Sequence, residues 1–76
     1  EQLIEKVMHI IENMPQQTAT VFKKCFIERK KYQEAGDELG ISINTVRWHI
    51  TKAISILRGQ MSDVEMILLY AFFLKK

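Results

Sequence analysis

Residues 32 to 52 read Tyr-Gln-Glu-Ala-Gly-Asp-Glu-Leu-Gly-Ile-Ser-Ile-Asn-Thr-Val-Arg-Trp-His-Ile-Thr-Lys: a short acidic helix, a glycine-centred turn and a basic helix. Leu39 closes the first of these helices, Gly40 supplies the left-handed backbone that ends it, and Ile41 plugs the corner between the two. Ser42 carries the side-chain oxygen that caps the next helix. Along that next helix Ile43, Val46, Ile50, Ala53, Ile54 and Leu57 recur at helical spacing and form one apolar stripe. The opposite arc holds Asn44, Arg47, Trp48 and Thr51, with Thr45 and Lys52 at its margin. The pattern is a helix-turn-helix whose second helix suits the major groove of DNA. There Asn and Arg side chains can read base edges, and Thr can bond a base or a phosphate.

Charge is distributed in keeping with that reading. The formal net charge of +2 says little, but no Asp or Glu lies between Leu39 and Ser62, whereas Arg47, Lys52 and Arg58 do. The acids Glu34, Asp37 and Glu38 sit on the preceding helix, which leaves the second helix a locally positive rod. Three cations on a helix also describe an ordinary solvated face, so the turn beside them carries the argument.

Working outward, Leu3, Val7, Ile10, Ile11 and Met14 define a first amphipathic helix, expected to end near Asn13 in a left-handed conformation. Pro15 is expected at the first position of a second helix, where its missing amide costs nothing. Val21, Phe22, Cys25 and Phe26 continue a buried face to about Arg29, and a third helix spans Tyr32 to Leu39. Glu34 sits in its first turn, favourable for the helix dipole, and Ala35 and Gly36 are small enough for a close helix crossing. The basic helix runs from Ile43 to about Arg58, with Gly59 read as an interruption. Ser62 followed by Glu65 is a capping box, so a fifth helix is expected from Asp63 toward Lys75, apolar on every side from Met66 to Leu74. The expected fold is all-α, a small bundle of four helices plus an apolar C-terminal helix. Residues 1–58 would form the helix-turn-helix domain and residues 59–76 an apolar helix or tail.

A chain of 76 residues, 47% hydrophobic, suffices for one small domain with a modest core. It has no initiator Met, no signal-peptide pattern and no apolar run near the roughly 18 residues of a membrane span, so it reads as a cytoplasmic piece of a longer protein. Cys25 is the only cysteine, which excludes an internal disulfide and a cysteine-rich zinc site, and its neighbours Phe22 and Phe26 mark it as a buried, inert thiol. His9 and His49 fall on separate helices and share no spacing with a carboxylate or with Cys25. No enzyme, metal or cofactor is expected, and His49 reads as bordering the core or touching a phosphate.

These residues resemble the C-terminal promoter-recognition domain, region 4, of bacterial sigma factors of the extracytoplasmic-function group. Met14-Pro15, Gln17, Val21 and Phe22 resemble that family's Leu-Pro opening of the second helix with its following Val-Phe. Residues 32 to 50 resemble its Tyr-x-Glu-Ile-Ala-x-x-Leu-Gly-Ile-Ser-x-x-Thr-Val-x-x-His-Ile pattern, and Ala53, Leu57 and Arg58 its closing Ala-x-x-x-Leu-Arg. The apolar tail is similar to that of the expanded set of such factors in Bacteroides-type bacteria. The chain departs from the pattern at Lys31, where a capping Ser is usual, at Ala35 and Gly36, and at Trp48, where smaller or polar residues are frequent. Glycine inside a helix costs roughly 1 kcal/mol relative to alanine, so Gly36 is expected to loosen the third helix.

The resemblance implies binding of double-stranded promoter DNA near position −35 by the fourth helix, while another sigma domain melts the start region. It also implies docking on the β flap of the RNA polymerase core and masking by an anti-sigma factor. Carried over by position, Arg47, Trp48 and Thr51 face bases, and Asn44, Thr45 and Lys52 reach bases or phosphates. The excess apolar surface of the tail adds an expectation of self-association through the C-terminal helix. Two alternatives stand beside this reading. One is the effector domain of a response regulator, whose Thr-Val-x-x-His-Ile turn is nearly the same but whose second helix usually opens Thr-Pro-Arg-Glu. The other is a protein-interaction module that has lost DNA binding, with Trp48 as its anchor.

Overall fold

The computed structural model describes residues 2–74, with side chains through Phe72. Expectations placed on Lys75 and on the Phe73 and Leu74 side chains lie outside the described residues. Five α-helices follow one another: α1 (Gln2–Glu12), α2 (Gln16–Phe22), α3 (Tyr32–Leu39), α4 (Ile43–Gln60) and α5 (Asp63–Leu74). A π-helical turn, Lys23–Ile27, extends α2. No β-strand occurs among the described residues.

The core forms where the apolar stripes of α1, α2 and α4 meet. Val7, Ile11, Val21, Phe22, Val46 and Leu57 are essentially inaccessible to solvent, and Ile10, Ile50 and Ala53 join them. Leu3 packs on the same cluster while only half-buried, as the end of a stripe should. The left-handed ending expected at Asn13 does not occur, since Arg29 is the one non-glycine residue with positive φ among the described residues. Asn13 instead closes α1 with both of its amides. The side-chain Nδ2 donates to the His9 carbonyl at 2.9 Å, and the backbone N–H donates to Ile10 at 3.1 Å.

Pro15 also sits one place earlier than expected, as the residue that caps α2. Its backbone is extended (ψ 141°), and its carbonyl accepts the Ala19 N–H at 2.9 Å. After Phe22 the helix widens: the Glu28 N–H reaches back five residues to the Lys23 carbonyl at 3.0 Å, as a π turn requires. Across this widening the Phe22 and Phe26 rings stack at 4.4 Å, only 11° from parallel. The helix therefore stops at Ile27, short of Arg29. Arg29 itself turns the chain toward α3 in a left-handed conformation (φ 61°) that costs a non-glycine residue about 1–2 kcal/mol. Cys25 is half-buried and not fully enclosed, and burial pushes its thiol pKa up, away from the thiolate form.

Gly59 does not interrupt α4. A side chain there would meet nothing within 4 Å, so the residue lies on an open face of the helix, which runs on to Gln60. Met61, extended and buried, then leads to α5. The capping box is present as expected: the Glu65 N–H donates to Ser62 Oγ at 3.1 Å, and the Ser62 N–H to Glu65 Oε1 at 2.9 Å. Polar contacts that tie α5 to the rest include the Lys6–Glu65 ion pair at 2.9 Å and a 3.2 Å bond from Arg58 to the Tyr70 hydroxyl. Met66 and Leu69 enter the core, and Val64, Ile67 and Leu68 point outward, more than half exposed. Phe72, also about half exposed, lines a pocket with Ile4, Met8, Phe26 and Ile27.

Candidate nucleic-acid interface

The turn between α3 and α4 is built from the residues that signal it in the sequence. Gly40 adopts φ 71° and ψ 31°, and the following Ile41 N–H returns to the Gly36 carbonyl at 3.0 Å, the closing bond of a Schellman motif. Ser42 Oγ accepts the Thr45 N–H at 3.1 Å, and the Ser42 carbonyl accepts the Val46 N–H at 3.0 Å, so α4 starts with its first donors satisfied. At the other end of α3 the usual Ser is replaced by Lys31, whose ammonium can only donate. Half of a capping box remains, in which Glu34 Oε1 accepts the Lys31 N–H at 2.8 Å.

Gly36 sets how closely α3 approaches this turn. A Cβ on it would lie 2.7 Å from the Ile41 carbonyl oxygen and 3.4 Å from Val46 Cγ2. With Ala35 fully buried beside it, the small pair lets the backbone of α3 lie against the turn. The conformational cost expected of a helical glycine is thus offset by a contact no larger residue could make.

α4 is then oriented by what it buries. Val46, Ile50, Ala53 and Leu57 face the core, and Ile43 and Ile54 flank them half-buried. His49, only 7% exposed, lies among them, and its Nδ1 is 2.9 Å from Thr18 Oγ1. This buried polar link locks the rotation of α4 about its axis relative to α2. Thr18 carries no signal of that role in the sequence, because its partner is 31 residues away.

Locked this way, α4 turns the remaining arc outward. Asn44, Arg47, Trp48 and Thr51 are exposed, and Thr45 and Lys52 are half-buried at the margin, which is where their spacing places them. The six residues share one face but differ in freedom. The Thr45 hydroxyl lies 3.0 Å from Ser42 Oγ, within the cap. Arg47 Nη1 reaches Asn44 Oδ1 only at 3.5 Å, too long a bond to hold either side chain against a better partner. Lys52 Nζ lies over the Trp48 ring, 5.3 Å from its centroid, and the His49 ring meets Trp48 edge-on at 4.9 Å and 85°.

The carboxylates of α3 are occupied elsewhere. Glu38 binds Lys24 at 2.9 Å and Lys30 at 3.0 Å, which holds its carboxyl below the usual range and raises both lysines. Asp37 accepts from Gln33 at 3.1 Å. No acidic side chain lies on α4 itself, so its outward face stays positive. Among the described residues no three His, Cys, Asp or Glu side chains gather where they could hold a metal ion, and no helix is long and apolar enough to cross a membrane.

A capped basic helix, backed by an acidic helix across a glycine turn and presenting Asn, Arg, Trp and Thr to solvent, defines a DNA-binding domain of the helix-turn-helix class. The family model for sigma-70, region 4 matches residues 4–57, and the chain belongs to that family. No curated protein and no solved structure matches it significantly. Region 4 is the sigma-factor domain that recognises the −35 promoter element in transcription initiation by RNA polymerase, which decides between the two transcriptional readings of the turn. The match runs from Ile4 in α1 to Leu57 in α4, and α5 lies beyond it.

Proposed function

We propose that α4 reads the −35 element directly, with Arg47, Trp48 and Thr51 against base edges and Asn44, Thr45 and Lys52 on bases or phosphates. The observation that carries this reading is the orientation of α4. Its buried stripe, its N-cap and the Thr18–His49 bond leave these six residues on the one face not committed to the core. Arg47 and Asn44 have the donor geometry for guanine and adenine edges, and neither is held by a short bond. Lys52, poised over Trp48, places its charge at the margin of that face, where a phosphate would pass.

The parent protein on this reading is a cytoplasmic, non-catalytic sigma factor of the extracytoplasmic-function type, Bacteroides-like in its apolar tail. Its region 4 docks on the β flap of RNA polymerase and is masked by an anti-sigma factor until needed. Residues 1–58 supply the DNA-reading unit, and the helix after them is a docking element. The outward group Val64, Ile67 and Leu68 supports that role, since it follows helical spacing and carries no charge.

The test is enrichment of a random duplex library on the immobilised chain. One short motif should emerge from successive rounds. A library that stays random while the chain remains folded by circular dichroism would overturn base reading by α4.

A further inference from the structure

Trp48 is the one residue of the outward face whose chemistry the hydrogen-bonding code for Asn, Arg, Lys and Thr does not cover. It stands 57% exposed near the start of α4, between Asn44 and Lys52 on the same side of the helix. An exposed indole of this size is costly to leave in water, and two side chains lie against it. The Lys52 ammonium lies over its ring at 5.3 Å, and the His49 imidazole, itself fixed by Thr18, abuts it edge-on at 4.9 Å. Both contacts bias the ring toward this position before any ligand arrives.

An indole offers a broad apolar surface and a single N–H donor, with no acceptor. The four bases present different partners in the major groove. Cytosine shows a donor, adenine an acceptor and a donor, and guanine two acceptors, whereas thymine shows an acceptor oxygen beside a methyl group. Thymine alone pairs an apolar group with an adjacent acceptor, the complement of what Trp48 presents. Insertion of the ring between base steps is the behaviour of wedges entering the minor groove, and a helix lying in the major groove does not place its side chains there. We propose that Trp48 is a specificity-determining residue that selects thymine at one position of the element, by packing on its C5-methyl with the indole N–H directed to O4. This rests on the DNA reading of α4 and goes beyond it by assigning a base to a residue.

The experiment uses the full chain and the duplex enriched from a random library. Each thymine of that duplex is replaced singly by deoxyuridine, which removes only the methyl group. At one position the replacement should weaken binding of the unmodified chain about fourfold, the change expected when one methyl-sized group leaves an apolar contact. Trp48→Ala should bind with that thymine preference gone and should not respond to deoxyuridine there, while preferences at other positions persist. Trp48→Phe should keep the response to deoxyuridine and lose affinity for the thymine duplex. Because Trp48 is the only tryptophan, its emission should also shift on binding the thymine duplex more than on binding the deoxyuridine one.

Equal responses to deoxyuridine in the unmodified chain and in Trp48→Ala would overturn the assignment, as would loss of preference at every position together. Retained thymine preference with weakened binding to RNA polymerase would assign Trp48 to a protein contact instead. A chain that enriches no motif at all fails earlier, at the DNA reading itself, and removes the proposal with it.

Discussion

Replacing Gly36 with Ala sets two effects of known sign against each other. Helix propensity favours the substitution by about 1 kcal/mol, because alanine has less backbone freedom to lose than glycine. Packing opposes it. The added Cβ would lie 2.7 Å from the Ile41 carbonyl oxygen, closer than such atoms approach, and 3.4 Å from Val46 Cγ2. The valine methyl can shift by a few tenths of an ångström. The carbonyl belongs to a turn fixed on one side by left-handed Gly40 and on the other by the Ser42 cap, so it cannot yield without moving α4. Overpacking of this kind costs about 1–3 kcal/mol, and an obstacle of backbone atoms belongs in the upper half of that range. The net expectation is a loss of about 1–2 kcal/mol. For a domain of this size each 1 kcal/mol lowers the melting temperature by about 4–8 °C. Urea and thermal unfolding followed by circular dichroism measure it. A Gly36→Ala chain as stable as the original, or more so, would show that α3 does not press on the turn and would refute the account of why this helix contains glycine.

Other expectations follow from particular side-chain contacts. Thr18→Val keeps the shape but leaves His49 Nδ1 buried without its partner, so stability should fall by about 1–3 kcal/mol, and making His49→Leu in the same chain should recover much of the loss; an unchanged single variant would remove the proposed lock on α4. The carboxyls of Glu38, held low by Lys24 and Lys30, and of Glu65, held low by the Ser62 N–H and Lys6, stay charged below the usual glutamate pKa of about 4.3. Their contribution is complete above that value and is lost as pH falls through the lower folded-state values, so the urea midpoint should drop in acid, and less steeply in Glu38→Gln. The raised Lys24 and Lys30 act in the opposite direction, their share fading only as pH rises past the lysine range. Changing Ile67 and Leu68 together to Ser should leave unfolding nearly unaltered, since both face outward, and should shift any dimer seen in sedimentation to monomer; loss of the fold would place them in the core.

What could be read in advance was whatever depends on near neighbours. Gly40, Ser42 and the apolar spacing of α4 act within one or two turns of chain, and the helix-turn-helix they specify stands where the sequence puts it. The six outward residues follow from the same periodicity, because the face opposite a buried stripe is determined once the stripe is known. The π turn was not legible, since its widening is set by how Phe22 and Phe26 stack and not by any local signal. Asn13 looked like a left-handed ending, yet its side chain capped the helix directly, and Arg29 took that conformation at the next junction instead. Gly59 looked like a break, but glycine on an open face breaks nothing by itself. The bond between Thr18 and His49 and the clamp of Lys24 and Lys30 on Glu38 join residues of different elements, beyond the reach of any one helix's periodicity.

The central claim, that the outward face of α4 reads base pairs, is tested most directly by fluorescence anisotropy on two duplexes of equal composition. One carries the enriched motif and the other is scrambled, and each is titrated with the chain, Arg47→Ala and Lys52→Ala over a range of salt. The account predicts that Arg47→Ala loses about 1–3 kcal/mol on the motif and almost nothing on the scrambled duplex. Lys52→Ala should weaken both alike and reduce the salt slope by about one unit. Equal losses on both duplexes for Arg47→Ala would contradict the claim, because they would reduce α4 to a positive rod that holds DNA without reading it.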